Sequence, residues 1–433
     1  MPYSLNRLSI ILILTLPIIG ELFRKYVLYS NVWLIVVDLI LVLIFIRTLS
    51  KFKPPAIFNY WVFFVTIFTM HGLAFSIIEL REPYSIIFGL RTAFYPMVGF
   101  LVASSVNFDK DFTAKLMRVT LTLLLLISIF GLLQVSLDSR PWEAPIHWIN
   151  YYPSELNYGC PQACSMGYGG SPFDNAGAKY FGVTLYRPHS IFLHTGKFGQ
   201  VVFALGAIVL LLAKDLSPKN KGIIIFIIIA CNFVTSQRAA LYSLLFFAIL
   251  YIYLFSNNRK NLTIGLLIIS FFIIILDAKA IIFIVVRIFS IIPELPSRLE
   301  LFYQANGLLD NGLLGDGWGF FAPGSQFFGG GSFQLVYGGE GAWIIVAGEL
   351  GIPISITLAI SNLIFGILIF FRSFSKSHDN YLSFWTSFVI LVLFLWACTH
   401  NIFGSYLMML YALIPIGLYF NKSFNLKIKD NIF

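Results

Sequence analysis

Charge is scarce in this chain. Asp, Glu, Lys and Arg supply 11% of its 433 residues, while hydrophobic residues supply 58% and the mean hydropathy is +0.84. Soluble domains carry about 25% charged residues, so this balance excludes an ordinary soluble fold and points to the membrane class. Cysteine is scarce as well, at four residues. Cys231 and Cys398 lie in apolar runs and read as packing residues. Cys160 and Cys164 share a loop, and no second pair or His cluster accompanies them. That leaves room for a short disulfide in an oxidising compartment and argues against zinc. The histidines His71, His147, His189, His194, His378 and His400 show no metal spacing, so no metal and no cofactor are expected. A cleavable signal is not evident: the apolar run after Arg7 lacks a small-residue cleavage site and more spans follow it. No internal repeat or low-complexity linker divides the chain, so residues 1–433 read as a single membrane domain.

What is present is apolar sequence in span-length blocks. A helix needs about 20 apolar residues to cross a bilayer, and on that basis the chain holds about twelve spans. They fall near Leu8–Phe23, Ser30–Thr48, Ile57–Ile78, Tyr84–Ser104, Phe112–Leu137, Ile191–Ala213, Gly222–Thr235, Ala239–Phe255, Leu262–Phe283, Ala342–Phe371, Tyr381–Thr399 and Ser405–Phe420. The expected fold class is an all-α polytopic membrane protein. Two long polar inserts interrupt it, at 138–190 and 285–340.

The net charge of +9 invites a nucleic-acid reading, but the cations collect in short loops between apolar runs. Arg47, Lys51, Lys53, Lys110, Lys115, Lys214, Lys219, Lys221, Arg259, Lys260, Arg372 and Lys376 fall on one side, together with Lys422, Lys427 and Lys429, while the short connections of the other side carry only Arg24, Lys25, Arg81 and Arg238. The positive-inside rule makes that side cytoplasmic, with both termini on it. Both inserts and the turn carrying Arg238 then face outward. Membrane lipid is the expected partner and nucleic acid is not.

The segment from Arg298 to Gly351 is glycine-rich and polar between apolar flanks. Non-helical backbone cannot face lipid, so it sits in water or lines a protein cavity. Arg187, Arg238 and Arg298 border separate outward segments. Guanidinium groups pair bidentately with phosphate and keep their charge, which suits a lipid diphosphate; headgroup contact or snorkelling is the plainer alternative. Arg91 lies inside a span, either as a functional charge or in an ion pair with Asp38 or Glu79. Glu340 stands at the start of an apolar helix. It reads either as a general base of raised pKa or as a favourable charge at a helix N-terminus. Glu349 reads as structural, bonded near Gly351. Gly315, Gly317 and Gly319 flank Trp318 in a G-x-G-x-G run without the strand a nucleotide fingerprint needs, so a turn bringing backbone amides to an anion is favoured. His189 and His194 lie beside Arg187. In the first insert Trp142, Trp148, Tyr151, Tyr152 and Tyr158 either stack on sugar rings or form an interfacial belt; no periodic element is read there.

Four of these stretches, in order, carry a resemblance. They are Arg187-Pro188-His189-Ser190 running to His194; Ser236-Gln237-Arg238-Ala239-Ala240; Arg298-Leu299-Glu300-Leu301-Phe302 followed by Leu313-Leu314-Gly315-Asp316-Gly317-Trp318-Gly319; and Glu340 before Glu349-Leu350-Gly351. Together they resemble the O-antigen ligase/polymerase superfamily of bacterial inner-membrane proteins. The resemblance implies a C-type glycosyltransferase fold, an undecaprenyl-diphosphate-linked oligosaccharide donor and a metal-free, inverting transfer. Catalysis would fall to Glu340, Arg187 and Arg238, with Arg298, Arg91, His194, Gly315, Gly317 and Trp318 binding substrate. A chain-length regulator protein is an implied partner. Two positions depart from the pattern: Glu340 stands where ligases typically have histidine, and Ser190 replaces a common glycine. The first favours a polymerase of O-antigen, capsule or exopolysaccharide over a ligase acting on lipid A core. A flippase for lipid-linked oligosaccharide is the reading from another class, but it would put polar residues deep in many spans.

Overall fold

The computed structural model describes residues 2–26, 32–51, 66, 69–74, 77–78, 83–136, 178–180, 183–185, 190–192, 195–213, 216–235, 314–315, 342–374, 380–399 and 406–421. Within these the chain forms helices α1 (Pro2–Tyr26), α2 (Val32–Lys51), α3 (Pro83–Ser105), α4 (Lys110–Ser136), α5 (Thr195–Leu212) and α6 (Pro218–Val234). They continue with α7 (Ala342–Leu350), α8 (Ile352–Arg372), α9 (Asn380–Thr399) and α10 (Tyr406–Phe420). Strands β1 (Ala178–Tyr180) and β2 (Val183–Leu185) pair antiparallel, with Ala178 opposite Leu185 and Tyr180 opposite Val183.

Among the described residues, three helices are long and apolar enough to cross a membrane: Asn6–Phe23 in α1, Lys110–Leu133 in α4 and Ile352–Arg372 as α8. Shorter apolar helices cover Phe94–Ser105, Lys197–Leu212, Tyr381–Ala397 and Leu407–Phe420. This is the helix set of a membrane protein. On α8, Ile356, Ile360, Ile364, Leu368 and Phe371 are exposed. They recur at helical spacing along one face, as a lipid-facing stripe does.

Helix α5 is the centre. Every residue from Phe198 to Ala213 is buried, and α4, α6, α9 and α10 pack around it. With no exposed residue from Phe198 onward and four helices packed on it, α5 is an interior helix. The tightest pair is α3 with α10. A Cβ on Gly99 would collide with the Leu410 carbonyl, and one on Gly417 would lie 2.5 Å from the Phe100 carbonyl oxygen and 2.7 Å from the Ala103 Cβ. Small residues let helix backbones approach this closely, which is how membrane helices gain contact without a hydrophobic driving force. Asn421 closes the joint. Its Nδ2 donates to the carbonyls of Ala103 at 2.9 Å, Ser104 at 3.1 Å and Val106 at 2.7 Å, serving acceptors that the end of α3 leaves open.

The bundle has two distinguishable ends. At one, Arg7 of α1 pairs with Asp109, which also caps α4 by accepting the Phe112 amide at 2.7 Å. Asn421 is there with the end of α3. Helix α4 runs antiparallel to α5, since Gly131 near the end of α4 packs on Phe198 near the start of α5. The end of α5 and the starts of α6 and α9 therefore join the Arg7 end: Tyr381 donates to the Leu210 carbonyl and Lys221 sits 4.6 Å above the Tyr381 ring. Lys110, Lys115, Lys219, Lys221 and Arg372 all lie toward this end. At the opposite end, Glu21 of α1 meets Lys197 of α5.

Two expectations are corrected. The tenth apolar block is not one span. It breaks at Gly351 (φ 93), so α7 is a separate helix of nine residues and Ile352–Arg372 alone has spanning length. Nine residues rise roughly 14 Å, about half a bilayer core. The first insert is not aperiodic throughout, because it contains the β1–β2 ribbon. The span expected at Ile57–Ile78 is helical where described, at 66, 69–74 and 77–78; those at Ala239–Phe255 and Leu262–Phe283 lie outside the described residues.

Candidate functional site

The Glu21 end gathers three backbone features. First, Gly315 is buried at φ 73, with its backbone pressed on the α7–α8 break. A Cβ there would lie 2.5 Å from the Gly351 amide nitrogen and 2.7 Å from the Glu349 carbonyl oxygen. The preceding carbonyl, of Leu314, is 2.7 Å from the His71 Nε2. The G-x-G-x-G run thus begins in a turn seated between the break and the 69–74 helix, and its first glycine is required by both conformation and space. Glu349, at 3% exposure, lies in the last turn of α7 beneath that seat.

Second, Ser190 sits at φ 54, where non-glycine residues are uncommon. Its hydroxyl donates to the Ile127 carbonyl at 2.8 Å, and Ile191 and Phe192 are buried beside it. The hydroxyl supplies an anchor that a glycine at this left-handed position would lack. The expected sixth span therefore starts as a turn, with α5 beginning at Thr195.

Third, Lys197 Nζ lies 3.3 Å from Glu21 Oε1; the lysine side chain is 20% exposed and the glutamate 0%. Burying a carboxylate beside lipid is costly unless it is paired, and α5 supplies the partner.

Among the expected site residues, Gly315 is positioned as described. Arg91 lies in α3, one turn ahead of Tyr95. The Tyr95 hydroxyl donates to Asp38, one of the two acids proposed to pair with Arg91. Glu340, Arg187, Arg238, Arg298, His194, Gly317 and Trp318 lie outside the described residues, as do Glu79, Cys160 and Cys164. Their nearest described neighbours can be placed. Ser190 follows Arg187 by three residues, Thr235 at the end of α6 precedes Arg238 by three, and Ala342 at the start of α7 follows Glu340 by two. Ser190 and Thr235 are both at the Glu21 end, where α5 begins and α6 finishes. Cys231 is buried in α6, as a packing cysteine would be. No group of three or more His, Cys, Asp or Glu at metal-binding spacing occurs among the described residues.

Sequence reasoning missed Glu21 and Lys197. An acid within the first apolar run was the available signal, since it demands a partner. It also missed His71 as a contact of the glycine turn, for which no local signal exists.

A scan against protein-family models finds no match for this chain, and a search of curated proteins finds none either.

Proposed function

We propose that the chain is a polysaccharide polymerase of the O-antigen or exopolysaccharide kind, moving an oligosaccharide from undecaprenyl diphosphate to a sugar hydroxyl of another lipid-linked repeat unit. In this reading about twelve spans cross the bacterial inner membrane, both termini are cytoplasmic, and the Glu21 end is extracytoplasmic. Arg187, Arg238 and Arg298 neutralise the diphosphate, with Arg91, His194, Gly315, Gly317 and Trp318 completing the pocket. Glu340 accepts the proton of the acceptor hydroxyl as its oxygen attacks the anomeric carbon. The C1–O bond to the diphosphate breaks with inversion, and the lipid diphosphate departs carrying the electron pair. It needs no proton at neutral pH, so fixed positive charge can supply much of the rate enhancement.

The observation that carries the reading is the shared end of the bundle. Ser190 and Thr235, the described residues nearest to Arg187 and Arg238, lie at the same end, as do Gly315 and the α7–α8 break. Helices α5, α8 and α10 also begin there, and helix starts favour a negative ligand. In this reading the end carrying Lys110, Lys115, Lys219, Lys221 and Arg372 is the cytoplasmic one, while Arg24, Lys25 and Lys197 lie toward the Glu21 end.

The test is purified protein in a bilayer mimic with lipid-linked repeat units, without nucleotide or added metal. Products lengthened by whole repeats and still ended by polyprenyl diphosphate are expected. Transfer to lipid A core with loss of that end would make the chain a ligase, and no transfer at all would sink the proposal.

A further inference from the structure

We infer that Glu21, on the first helix, is a positioning residue for the segment that carries Arg187. This rests on the polymerase reading for its catalytic consequence, but its geometry stands apart from it. The chain entering α5 is pinned on two sides. Ser190 Oγ holds the Ile127 carbonyl of α4 at 2.8 Å. In the first turn of α5, Lys197 Nζ holds the Glu21 carboxylate of α1 at 3.3 Å. Between the pins, Ile191 and Phe192 are buried. Arg187 is three residues upstream of the first pin.

An ion pair is a poor device for stability in such a place. A buried pair commonly adds nothing over apolar residues of the same volume, and a carboxylate inside a membrane bundle is expensive. Helix α1 already packs on α2, α3, α4 and α10. A leucine at Glu21 would serve that packing as well. What the carboxylate adds is direction: it fixes the azimuth of α5 about its own axis and the height at which the chain leaves it. A guanidinium serving a transition state needs that accuracy, because small misplacements are costly in rate.

The experiment uses the full chain in nanodiscs, with hydrogen exchange read over 190–200 and repeat-unit transfer followed in parallel. Glu21→Gln/Lys197→Gln removes both charges of the pair together. The exchanged pair Glu21→Lys/Lys197→Glu restores opposite charges in reversed order. The neutral double is expected to exchange about tenfold faster near Ser190–Lys197 and to lose about tenfold in kcat with KM little changed. Exchange in α9 should stay as in the wild type. The exchanged pair is expected to recover both readouts. Wild-type exchange in the neutral double would overturn the inference, as would failure of the exchanged pair to recover. Equally faster exchange in α9 would show a merely structural role and overturn it too. If wild-type protein transfers no repeat units, the polymerase reading fails while the exchange data still decide whether Glu21 positions this segment.

Discussion

Gly315 and Gly351 meet backbone to backbone: a Cβ on Gly315 would lie 2.5 Å from the Gly351 amide nitrogen, and both residues have positive φ. Two left-handed residues far apart in sequence lock one insert onto the break between α7 and α8. Gly315→Ala meets a conformational cost of about 1–3 kcal/mol and a backbone collision as well. The expected result is a lower melting temperature in detergent and a marked loss of transfer. Wild-type melting and transfer in this variant would remove the turn from the site.

Ser190 gives a graded series. Ser190→Gly relieves the left-handed strain while losing the bond to Ile127, and the net change is expected within about 1 kcal/mol. Ser190→Val keeps the strain, adds β-branching and takes the hydroxyl donor away from the Ile127 carbonyl, costing about 2–4 kcal/mol. Chemical or thermal unfolding of the two variants checks the order.

The α3–α10 joint predicts sharp contrasts among glycines. Gly99→Leu and Gly417→Leu place side chains against opposing backbone and should prevent recovery of monodisperse protein. Gly222 in α6 has nothing within 4 Å of an added Cβ. Gly222→Ala is expected to stabilise by about 0.5–1 kcal/mol through helix propensity. Size-exclusion profiles and melting curves read both.

Asn421→Leu removes the donor shared by three carbonyls at the end of α3. Open acceptors there should cost about 1–3 kcal/mol. Asn421→Asp should be worse than Asn421→Leu, because a carboxylate would face carbonyl oxygens. Equal melting of wild type and both variants would deny the joint its role.

For the proposed chemistry, Arg187→Ala and Arg238→Ala should abolish chain extension at unchanged protein level, and Arg298→Ala should weaken it. Glu340→Gln should be severely impaired. Normal polymerisation by all three arginine variants would end the diphosphate-neutralising scheme, and full turnover by Glu340→Gln would leave that residue a helix-start charge.

Much of the helical frame was legible because long apolar runs leave few choices. The first, second, fourth, fifth, seventh, eleventh and twelfth expected spans each fall on one helix within a few residues. The α7–α8 break was not legible by hydropathy, since Gly351 sits between Leu350 and Ile352 and the run never turns polar. Gly351 followed by Pro353 was the punctuation to read, because both residues resist helical continuation at that point. Strands as short as Ala178–Tyr180 carry no measurable period. The turn at Gly315 was legible from its glycine spacing. The Lys197–Glu21 pair was not, because its members are 176 positions apart and only the fold brings them together.

The joint between α3 and α10 also sets an order of events during synthesis. Asn421 and Ala103 are separated by 318 positions. At about 5–20 residues per second, a ribosome needs ~15–60 s to travel between them. Throughout that interval the α3 surface around Gly99 lacks the helix that packs on it. The α3–α10 joint can close only once α10 has been made, so this part of the fold waits on synthesis of the whole intervening chain.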